Sequence, residues 1–304
     1  MIERIILLCL AAVFLSVTAC QAAPTAHDDI KTCYVGTARI DVLAVGWRAH
    51  ATSILLPLND AQGAAIKAAY PSGEIYNAQN VMVIRNGDAV VLVDSGLPST
   101  LPRLIALLND IGIAPAAVTH VIITHAHRDH IGGLTRDGKP VFPKAHILFS
   151  EEEYAYWNDA ANRSKNPNMD KAWGDLLPAL SDGRVDLIRL KPDAVTPVLP
   201  GIGILPLYGH TPGHCGVLVE DCQKKQPPLL FWGDLLHGAL VQIQYLGITS
   251  SFDMDKTQAI ATRQASLTLA AEKGWRVFGA HMPDNDAKIL RTARDGGFFF
   301  KDYP

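Results

Sequence analysis

Four apolar segments of this chain each lead into a histidine or an aspartate, and this arrangement restricts the fold more than any other feature of the sequence. The segments cover residues 118–124, 205–208, 229–232 and 277–279. Short continuous apolar runs are typical of β-strands that are buried on both faces, and open α/β sheets place their ligand sites at the carboxyl ends of such strands. We therefore predict one layered α/β domain whose chemistry lies where these strands end.

The densest group of polar residues follows the first of these segments. It reads His125-Ala126-His127-Arg128-Asp129-His130. Imidazoles and a carboxylate packed this closely are costly to leave unpaired inside a fold, and zinc and similar divalent metals take these ligand types. The other three segments lead into His210, Asp234 and His281, and either histidine alone is more typical of a structural role. Together with the first group, these residues predict a metal site.

This residue set resembles that of the metallo-β-lactamase superfamily and, within it, of the methyl parathion hydrolases and their lactonase relatives. The resemblance extends from about Ile40 to the C-terminus. Further segments that carry it are 93–96, 209–214, 233–235, 238–242 and 298–303. The resemblance implies an αββα sandwich, formed as a single domain, with two divalent metal ions between its sheets. Zn²⁺ is the expected ion, and Mn, Co and Fe are the alternatives.

The resemblance also implies how the ligands divide between the two ions. One ion would be held by His125, His127 and His210. The other would be held by Asp129, His130 and His281. Asp234 would bridge the two ions.

Residues around the ligand set receive supporting roles or none. Asp94 resembles a family position that supports the site without binding metal. His214 either forms a hydrogen bond that supports the site or is a simple turn residue. The remaining histidines, for which we expect no metal role, are His27, His50, His120, His146 and His237.

The implied activity is hydrolysis by a metal-bridging hydroxide. Two divalent ions lower the pKa of a shared water to about 7, and the hydroxide then attacks a carbonyl carbon or a phosphorus. Asp129 is the candidate catalytic residue, because it can orient the nucleophile and move a proton as well as bind metal. The sequence contains no Gly-x-Ser-x-Gly motif that would supply a serine nucleophile. We expect a small-molecule ester as substrate, with a lactone or aryl ester first and an organophosphate triester second.

Substrate choice depends on the loops around the site, where Trp157, His237 and Phe252 are candidates for the pocket wall. Residues 97–100 offer no aromatic side chain where the relatives can place one, which weakens the phosphotriester assignment. Asp234 favours this hydrolase group over true metallo-β-lactamases, which commonly lack a bridging carboxylate. The alternatives are β-lactam hydrolysis, and a mononuclear iron dioxygenase or a thioesterase on the same fold.

Composition argues against other classes of protein. The chain has 304 residues and a formal net charge of −3. Its pI of about 6.4 lies well below the value above about 9 that is usual for nucleic-acid-binding domains. With 48% hydrophobic and 19% charged residues, the chain is that of a folded globular protein. The oligomeric state stays open, with a homodimer among the options.

The N-terminus predicts export. Residues 5–15 form an apolar run behind Arg4 that fits the core of a signal peptide and is too short to span a membrane. Small residues before Cys20 resemble a bacterial lipobox, in which Cys20 would carry lipid; cleavage near Ala22 or Ala23 is the alternative. We therefore expect a signal peptide over 1–19, a tether over 20–37 and a hydrolase domain over 38–304, located in the periplasm or anchored to the membrane.

The rest of the pattern predicts further strands, a few helices and three cysteines in the mature chain. Helices are expected over 101–108 and about 255–273, a polar insertion over 158–170, and a short C-terminal helix before a strand at 298–300. Cys215 and Cys222 lie too far apart on a predicted strand for a disulfide. Cys33 either pairs with one of them or, like them, is a free thiol.

Overall fold

The computed structural model describes residues 29–180, 183–293 and 296–302. The predicted signal peptide and Cys20 lie outside these residues. The strands are β1 (Ile30–Val35), β2 (Ala38–Ala51), β3 (Leu55–Leu56), β4 (Glu74–Asn86), β5 (Ala89–Val93), β6 (His120–Ile122), β7 (Thr135–Arg136), β8 (Lys139–Pro140), β9 (His146–Ser150), β10 (Val185–Ile188), β11 (Thr196–Leu199), β12 (Ile202–Pro206), β13 (Cys215–Val219), β14 (Leu229–Phe231), β15 (Thr249–Ser250), β16 (Arg276–Phe278), β17 (Lys288–Thr292) and β18 (Phe298–Asp302). The helices are α1 (Asp60–Ala69), α2 (Leu101–Asp110), α3 (Arg128–Ile131), α4 (Glu151–Asn158), α5 (Ala160–Arg163), α6 (Pro167–Leu180), α7 (Ala239–Gln242) and α8 (Lys256–Lys273).

Within the described ranges, the strands form two seven-stranded sheets and two short pairs. The first sheet has the order β1-β2-β4-β5-β6-β9-β10, and the second has the order β11-β12-β13-β14-β16-β17-β18. The short pairs are β3 with β15 and β7 with β8. The two large sheets pack face to face, with helices on their outer surfaces.

Strand alternation explains why the apolar segments are continuous. Successive side chains of a strand point to opposite faces of the sheet. In β14, Leu229 and Phe231 therefore enter the core between the two sheets, whereas Leu230 packs in the layer that also contains Leu267 of α8. β5 alternates in the same way, with Leu92 in the outer layer that contains α2. Both faces of each sheet are thus buried, and the predicted αββα sandwich is confirmed.

The direction of the strands brings the ligand loops to one edge. In the second sheet, β12 is antiparallel to β13, and β13 is antiparallel to β14. Since β14 is parallel to β16, the carboxyl ends of β12, β14 and β16 lie on the same side. In the first sheet, β5 and β6 are parallel to each other and both end in loops that carry polar residues. The strand ends that the sequence predicts to carry the chemistry therefore lie along one edge of the sandwich.

The long helix near the C-terminus follows its sequence signals. Asp255 caps the start of α8 by accepting a hydrogen bond from the backbone of Gln258. Gly274 ends the helix in the left-handed conformation, with φ of 64°. Glycine adopts this conformation without the steric cost that a Cβ would add. The predicted helix over 255–273 is thus confirmed.

Two local expectations, a short C-terminal helix and a tether over 20–37, are wrong in part, and two open points are resolved. Residues 288–292 form β17, which pairs with β16 and β18, and not a short C-terminal helix, because this backbone extends the second sheet. Residues 30–35, expected in a tether, pair with β2 as the edge strand of the first sheet. The polar insertion over 158–170 contains α5 and the start of α6. The three cysteines of the described ranges, Cys33, Cys215 and Cys222, are free thiols, so the disulfide alternative is not realised.

No helix in the described part of the chain combines the length and the apolar character that a membrane span requires.

Candidate metal centre

The polar residues at the strand ends form one buried cluster between the two sheets. The loop after β6 supplies the first four, and the loops after β12, β14 and β16 supply one each. The structure brings together all of the predicted ligands: His125, His127, Asp129, His130, His210, Asp234 and His281. They fall into the two groups that the resemblance implies. We call His125, His127 and His210 the tri-histidine group, and Asp129, His130 and His281 the mixed group.

The tri-histidine group points its ring nitrogens at a common centre. Nδ1 of His127 lies 3.1 Å from Nε2 of His125 and 3.0 Å from Nε2 of His210. The ligand atoms of these residues and of Asp234 all lie within 4.8 Å of one another. Converging imidazole nitrogens with a carboxylate oxygen are the donor set that a zinc-type ion takes in a four-coordinate site.

In the mixed group, the two histidines lie around the carboxylate of Asp129. Nε2 of His281 lies 3.3 Å from Oδ2 of Asp129, and Nε2 of His130 lies 3.8 Å from Oδ1 of Asp129. The side chain of Asp129 is 22% exposed, while those of His130 and His281 are almost fully buried. Asp129 therefore lies both at the cluster and at its open side, as its expected catalytic role requires.

Asp234 lies between the two groups. Its Oδ2 is 3.6 Å from Nε2 of His125, 3.4 Å from Nε2 of His210 and 3.2 Å from Nε2 of His281. Its Oδ1 is 3.2 Å from Nε2 of His130. Among the described residues, this Oδ1 and this Nε2 are buried atoms with no hydrogen-bond partner. Buried polar atoms that lack a partner are costly, and a cation bound at the mixed group would satisfy both. The residues of the mixed group therefore fit a divalent metal, as the converging nitrogens of the tri-histidine group do.

Two buried aspartates hold the outer nitrogens of ligand histidines. Oδ2 of Asp94 lies 2.8 Å from Nδ1 of His130 and also accepts a hydrogen bond from the Thr124 hydroxyl. Oδ1 of Asp253 lies 3.0 Å from Nδ1 of His210. A carboxylate in this position fixes the tautomer and the orientation of a metal-binding imidazole. The expected supporting role of Asp94 agrees with this geometry, whereas Asp253 was missed by the sequence analysis.

Glu153, on α4, links the two loops of the tri-histidine group and was also missed. Its Oε1 accepts hydrogen bonds from the backbone of Ala126 and from Nε1 of Trp157. Its Oε2 accepts hydrogen bonds from the hydroxyl of Thr211 and the backbone of Gly213. The side chain is buried, and all four partners are donors. Glu153 thus ties the loop that carries His125 and His127 to the loop that carries His210.

His214 fixes the backbone of the central carboxylate. Its Nδ1 donates to the carbonyl of Leu207, and its Nε2 accepts a hydrogen bond of 3.2 Å from the backbone N–H of Asp234. Gly233 allows this approach, because a Cβ at that position would lie 2.6 Å from Nε2 of His214. Its φ of 55° also favours glycine. Of the two roles considered for His214, the structure places it in the hydrogen-bonded supporting one.

The pKa values of the clustered side chains are shifted in opposite directions. Burial and the neighbouring His210 lower the pKa of His127 to about 3. Burial also opposes protonation of His281, but Asp234 and Asp129 outweigh it and raise the pKa of His281 to about 10. The pKa of Asp234 is well below its usual range because His130 and His281 outweigh the effect of burial. The carboxylates are thus ionised and ready to bind cations.

A cleft of about 460 Å³ opens onto the cluster. It gives a substrate access to Asp129 and Asp234 from solvent. The side chains that line it besides the ligands are Arg48, His50, Leu97, Arg128, Asn166, Asn168, Met169, His237 and Phe252. Two of the three predicted pocket residues, His237 and Phe252, are therefore in the cleft wall. Phe252 is 39% exposed and packs against the His237 ring at 5.3 Å between centroids.

His237 lies closer to the cluster than we expected. Its Nε2 is 3.3 Å from Oδ2 of Asp234, and its ring stacks on His281 at 5.3 Å. It also belongs to two of the residue groups with metal-binding geometry. This position does not support the expectation that His237 has no metal role.

Trp157 occupies a different place from the predicted one. It is only 2% exposed, and its Nε1 donates to Glu153. Its ring lies 6.1 Å from that of His127, on the core side, and it is absent from the residues that line the cleft. The geometry therefore gives Trp157 a packing role behind the site and does not support a place in the pocket wall.

The sandwich, the histidine and aspartate cluster, and the cleft define a class of protein, the αββα sandwiches with a candidate metal centre between their sheets. The comparison with protein families agrees. Residues 76–281 match the model of the metallo-beta-lactamase superfamily. Because this match covers more than half of the chain, the protein belongs to the metallo-beta-lactamase superfamily.

Relatives and solved structures lie at a distance. A metallo-beta-lactamase domain-containing protein 1 from Xenopus laevis is 38% identical over 87 residues, which are 29% of this chain and 34% of that protein. An N-acyl homoserine lactonase from a Bacillus species is 25% identical over 171 residues, which are 49% of this chain and 60% of that protein. The chain thus spans between a third and two thirds of the length of these relatives.

Two solved structures cover most of the chain. The hydrolase AbOPH of the beta-lactamase superfamily has a TM-score of 0.79 and 22% identity, over 92% of this chain and 99% of its own. The dizinc quorum-quenching lactonase AidC has a TM-score of 0.79 and 21% identity, over 91% of this chain and 99% of its own. At these identities the likeness confirms the fold.

Proposed function

We propose that this protein is a dinuclear metal-dependent hydrolase of lactones and aryl esters, with organophosphate triesters as the second substrate class. The observation that carries the proposal is the position of Asp234, whose two carboxylate oxygens face ligand histidines of both groups at 3.2–3.6 Å. A carboxylate can serve two cations at once, and its charge offsets their mutual repulsion. A neutral imidazole can do neither.

When bound, two divalent ions supply an activated water and polarise the oxygen of the scissile bond. The chain's own residues position and protect that chemistry. Asp129 is the partly exposed carboxylate of the cluster, so one of its oxygens can accept the proton of the attacking water and return it to the leaving oxygen. Asp94, Asp253 and Glu153 hold the ligand loops rigid, which keeps the site in its reactive geometry without reorganisation.

Three considerations support an ester or lactone as the substrate. The cleft is open to solvent and has one exposed aromatic wall, Phe252. Residues 97–100 contribute Leu97 to the cleft and no aromatic ring, which favours a flat ester over a bulky triester. Lactonases are among both the sequence relatives and the structural neighbours of this chain.

A metal analysis with a substrate panel tests the proposal. Purified protein loaded with zinc or with manganese is assayed on lactones, aryl esters, phosphotriesters and the β-lactam nitrocefin. We expect about two divalent ions per chain and fastest turnover of a lactone or an aryl ester. One iron per chain would indicate an oxygenase, and fastest turnover of nitrocefin would indicate a β-lactamase; either result contradicts the proposal.

We also propose that the protein is exported, on the basis of the apolar run over 5–15 and of Cys20. Mass spectrometry of the native N-terminus tests this. An intact Met1 would contradict export, and a terminus after Ala22 or Ala23 would contradict lipidation alone.

A further inference from the structure

The arginines of the described ranges fall into two sets. Most form ion pairs or hydrogen bonds with carbonyl groups: Arg39, Arg85, Arg103, Arg163, Arg184, Arg189, Arg263, Arg276 and Arg291. The guanidinium groups of Arg48, Arg128 and Arg136 have neither an ion pair nor a hydrogen bond with another described residue. All three unpaired side chains are exposed to solvent.

The unpaired arginines lie around the reaction site. Arg48, near the end of β2, lines the cleft close to His50 and Phe252. Arg128, between two ligands of the metal cluster, lines the cleft and also an adjoining cavity of about 520 Å³. Arg136 lines that second cavity. Asp137 and Asp175 also line that second cavity, so Arg48 and Arg128, which line the cleft itself, are the stronger candidates for an anion site.

No carboxylate in the cleft is free to neutralise these arginines. The acidic side chains among the described lining residues are Asp129 and Asp234, and both belong to the metal-ligand set. The other polar lining groups near the mouth include the amides of Asn166 and Asn168, which can donate hydrogen bonds. A guanidinium presents a planar fork of N–H donors that matches the oxygens of a carboxylate or a phosphate.

We propose that the substrate carries an anionic group, a carboxylate or a phosphate, apart from its scissile ester, and that Arg48 and Arg128 bind this group. The part of the substrate between the anion and the ester lies against Phe252. This inference rests on the proposed function and narrows it, since neutral lactones and neutral triesters then become poor substrates. Fixed positive charge at the cleft also raises the association rate of anionic substrates.

Equilibrium binding to the metal-loaded protein tests the proposal without requiring turnover. Butyrate has one carboxylate, which can reach the metal site; glutarate and 4-phosphonobutyrate add a second anionic group. We expect glutarate or the phosphonate to bind at least about tenfold more tightly than butyrate, as a charge-assisted bidentate pair allows. Whichever of the two binds more tightly identifies the group as a carboxylate or a phosphate.

Variants locate the effect. In Arg48→Gln and Arg128→Gln the preference for the second anionic group should fall at least about fivefold, whereas Arg48→Lys should retain part of it. Arg189→Gln removes the same charge at an exposed ion pair with Glu151, outside the cleft, and is the matched control. Metal content is measured in each variant so that a loss of ligands is recognised. Equal affinities of the wild type for butyrate, glutarate and 4-phosphonobutyrate, or the same loss in Arg189→Gln, would overturn the proposal.

A kinetic comparison separates this inference from the proposed function. The pair 4-nitrophenyl monoglutarate and 4-nitrophenyl butyrate differs only in the distal carboxylate. We expect a higher kcat/KM for the monoglutarate, expressed mainly in KM, and a smaller ratio of the two in Arg48→Gln. If neither ester nor any lactone is hydrolysed while the binding preference holds, the proposed function fails and the anion site stands. If the butyrate is the better substrate, the function stands and the anion site fails.

Discussion

The two halves of the metal centre differ in how the fold holds them. The tri-histidine group is supported by Asp253, which holds His210, and by Glu153, which ties its two loops together. The mixed group has Asp94 behind His130, but no described side chain forms a hydrogen bond with Nδ1 of His281. Since buried partners of the ligands govern metal affinity, the comparison teaches that the tri-histidine group is the better organised half. The four experiments below test this difference, in order of decreasing effect.

Asp234→Asn removes the residue that both halves share. Asn keeps the size of the side chain but loses the charge and one good acceptor. We expect clearly fewer than the two divalent ions per chain that we propose for the wild type, and hydrolysis lower by at least about 10²-fold. Atomic emission analysis and steady-state kinetics measure both. A variant that keeps both ions and most of its activity would show that Asp234 is a structural residue and that the dinuclear mechanism is wrong.

Glu153→Gln removes part of the support of the tri-histidine group. The new amide group must face either Ala126 N and Trp157 Nε1 or Thr211 Oγ1 and Gly213 N, all of which are donors. Buried donors without an acceptor cost about 1–3 kcal/mol each, so the free energy of unfolding should fall by about that amount or more. We also expect loss of the ion of the tri-histidine group. Denaturant unfolding and metal analysis are the measurements, and the exposed neighbour Glu152→Gln, on the same helix, is the control.

Asp94→Asn removes the support of the mixed group. Its amide nitrogen cannot accept the hydrogen bond from Nδ1 of His130, and asparagine tolerates the positive φ of 62° at this position. We expect the affinity of the mixed group for metal to fall about 10–100-fold while the tri-histidine group keeps its ion. Competition with a chelator of known affinity resolves the two binding steps. Weakening of both steps to the same extent would mean that the halves are not independently supported.

As the pH falls, the mixed group should release its metal ion before the tri-histidine group does. In the metal-free chain the carboxylates outweigh burial and raise the pKa values of His130 and His281, the latter to about 10. In the tri-histidine group only His210 is raised, to about 9, whereas His125 and His127 are lowered by burial. Metal must displace these protons, so its affinity drops with falling pH, more steeply where two imidazoles are protonated than where one is. Equilibrium dialysis of cobalt-loaded protein between about pH 8 and about pH 6 measures the order of loss.

The ligands could be predicted from the sequence because each one follows a strand and carries a donor that metals take. Glu153 and Asp253 could not, since the ligand-loop groups that they hold lie 27 to 60 residues away in sequence. Only the packing of α4 and of the loop before α8 brings these two side chains to the site. The one local signal for Glu153 is its place in the first turn of a helix capped by Ser150, which is common in helices without a site.

Trp157 shows a different limit. A tryptophan near a predicted site satisfies both a pocket and a core interpretation, and only its hydrogen bond to Glu153 and its burial distinguish them. Strand β17 shows a third limit, because its pairing with β16 and β18 overrides the local preference of its five residues.

The metal ligands belong to different layers of the sandwich, and this has a thermodynamic consequence. The loop after β6 belongs to the first sheet, while His210, Asp234 and His281 follow strands of the second. An ion held by both loops acts as a reversible cross-link between the layers, so metal binding and unfolding are linked equilibria. Each tenfold rise in free metal above its Kd then adds about 1.4 kcal/mol per ion to the free energy of unfolding. The melting temperature should rise with metal supply in the wild type and lose that dependence in Asp234→Asn. The stability of this fold is thus set in part by the metal content of its surroundings.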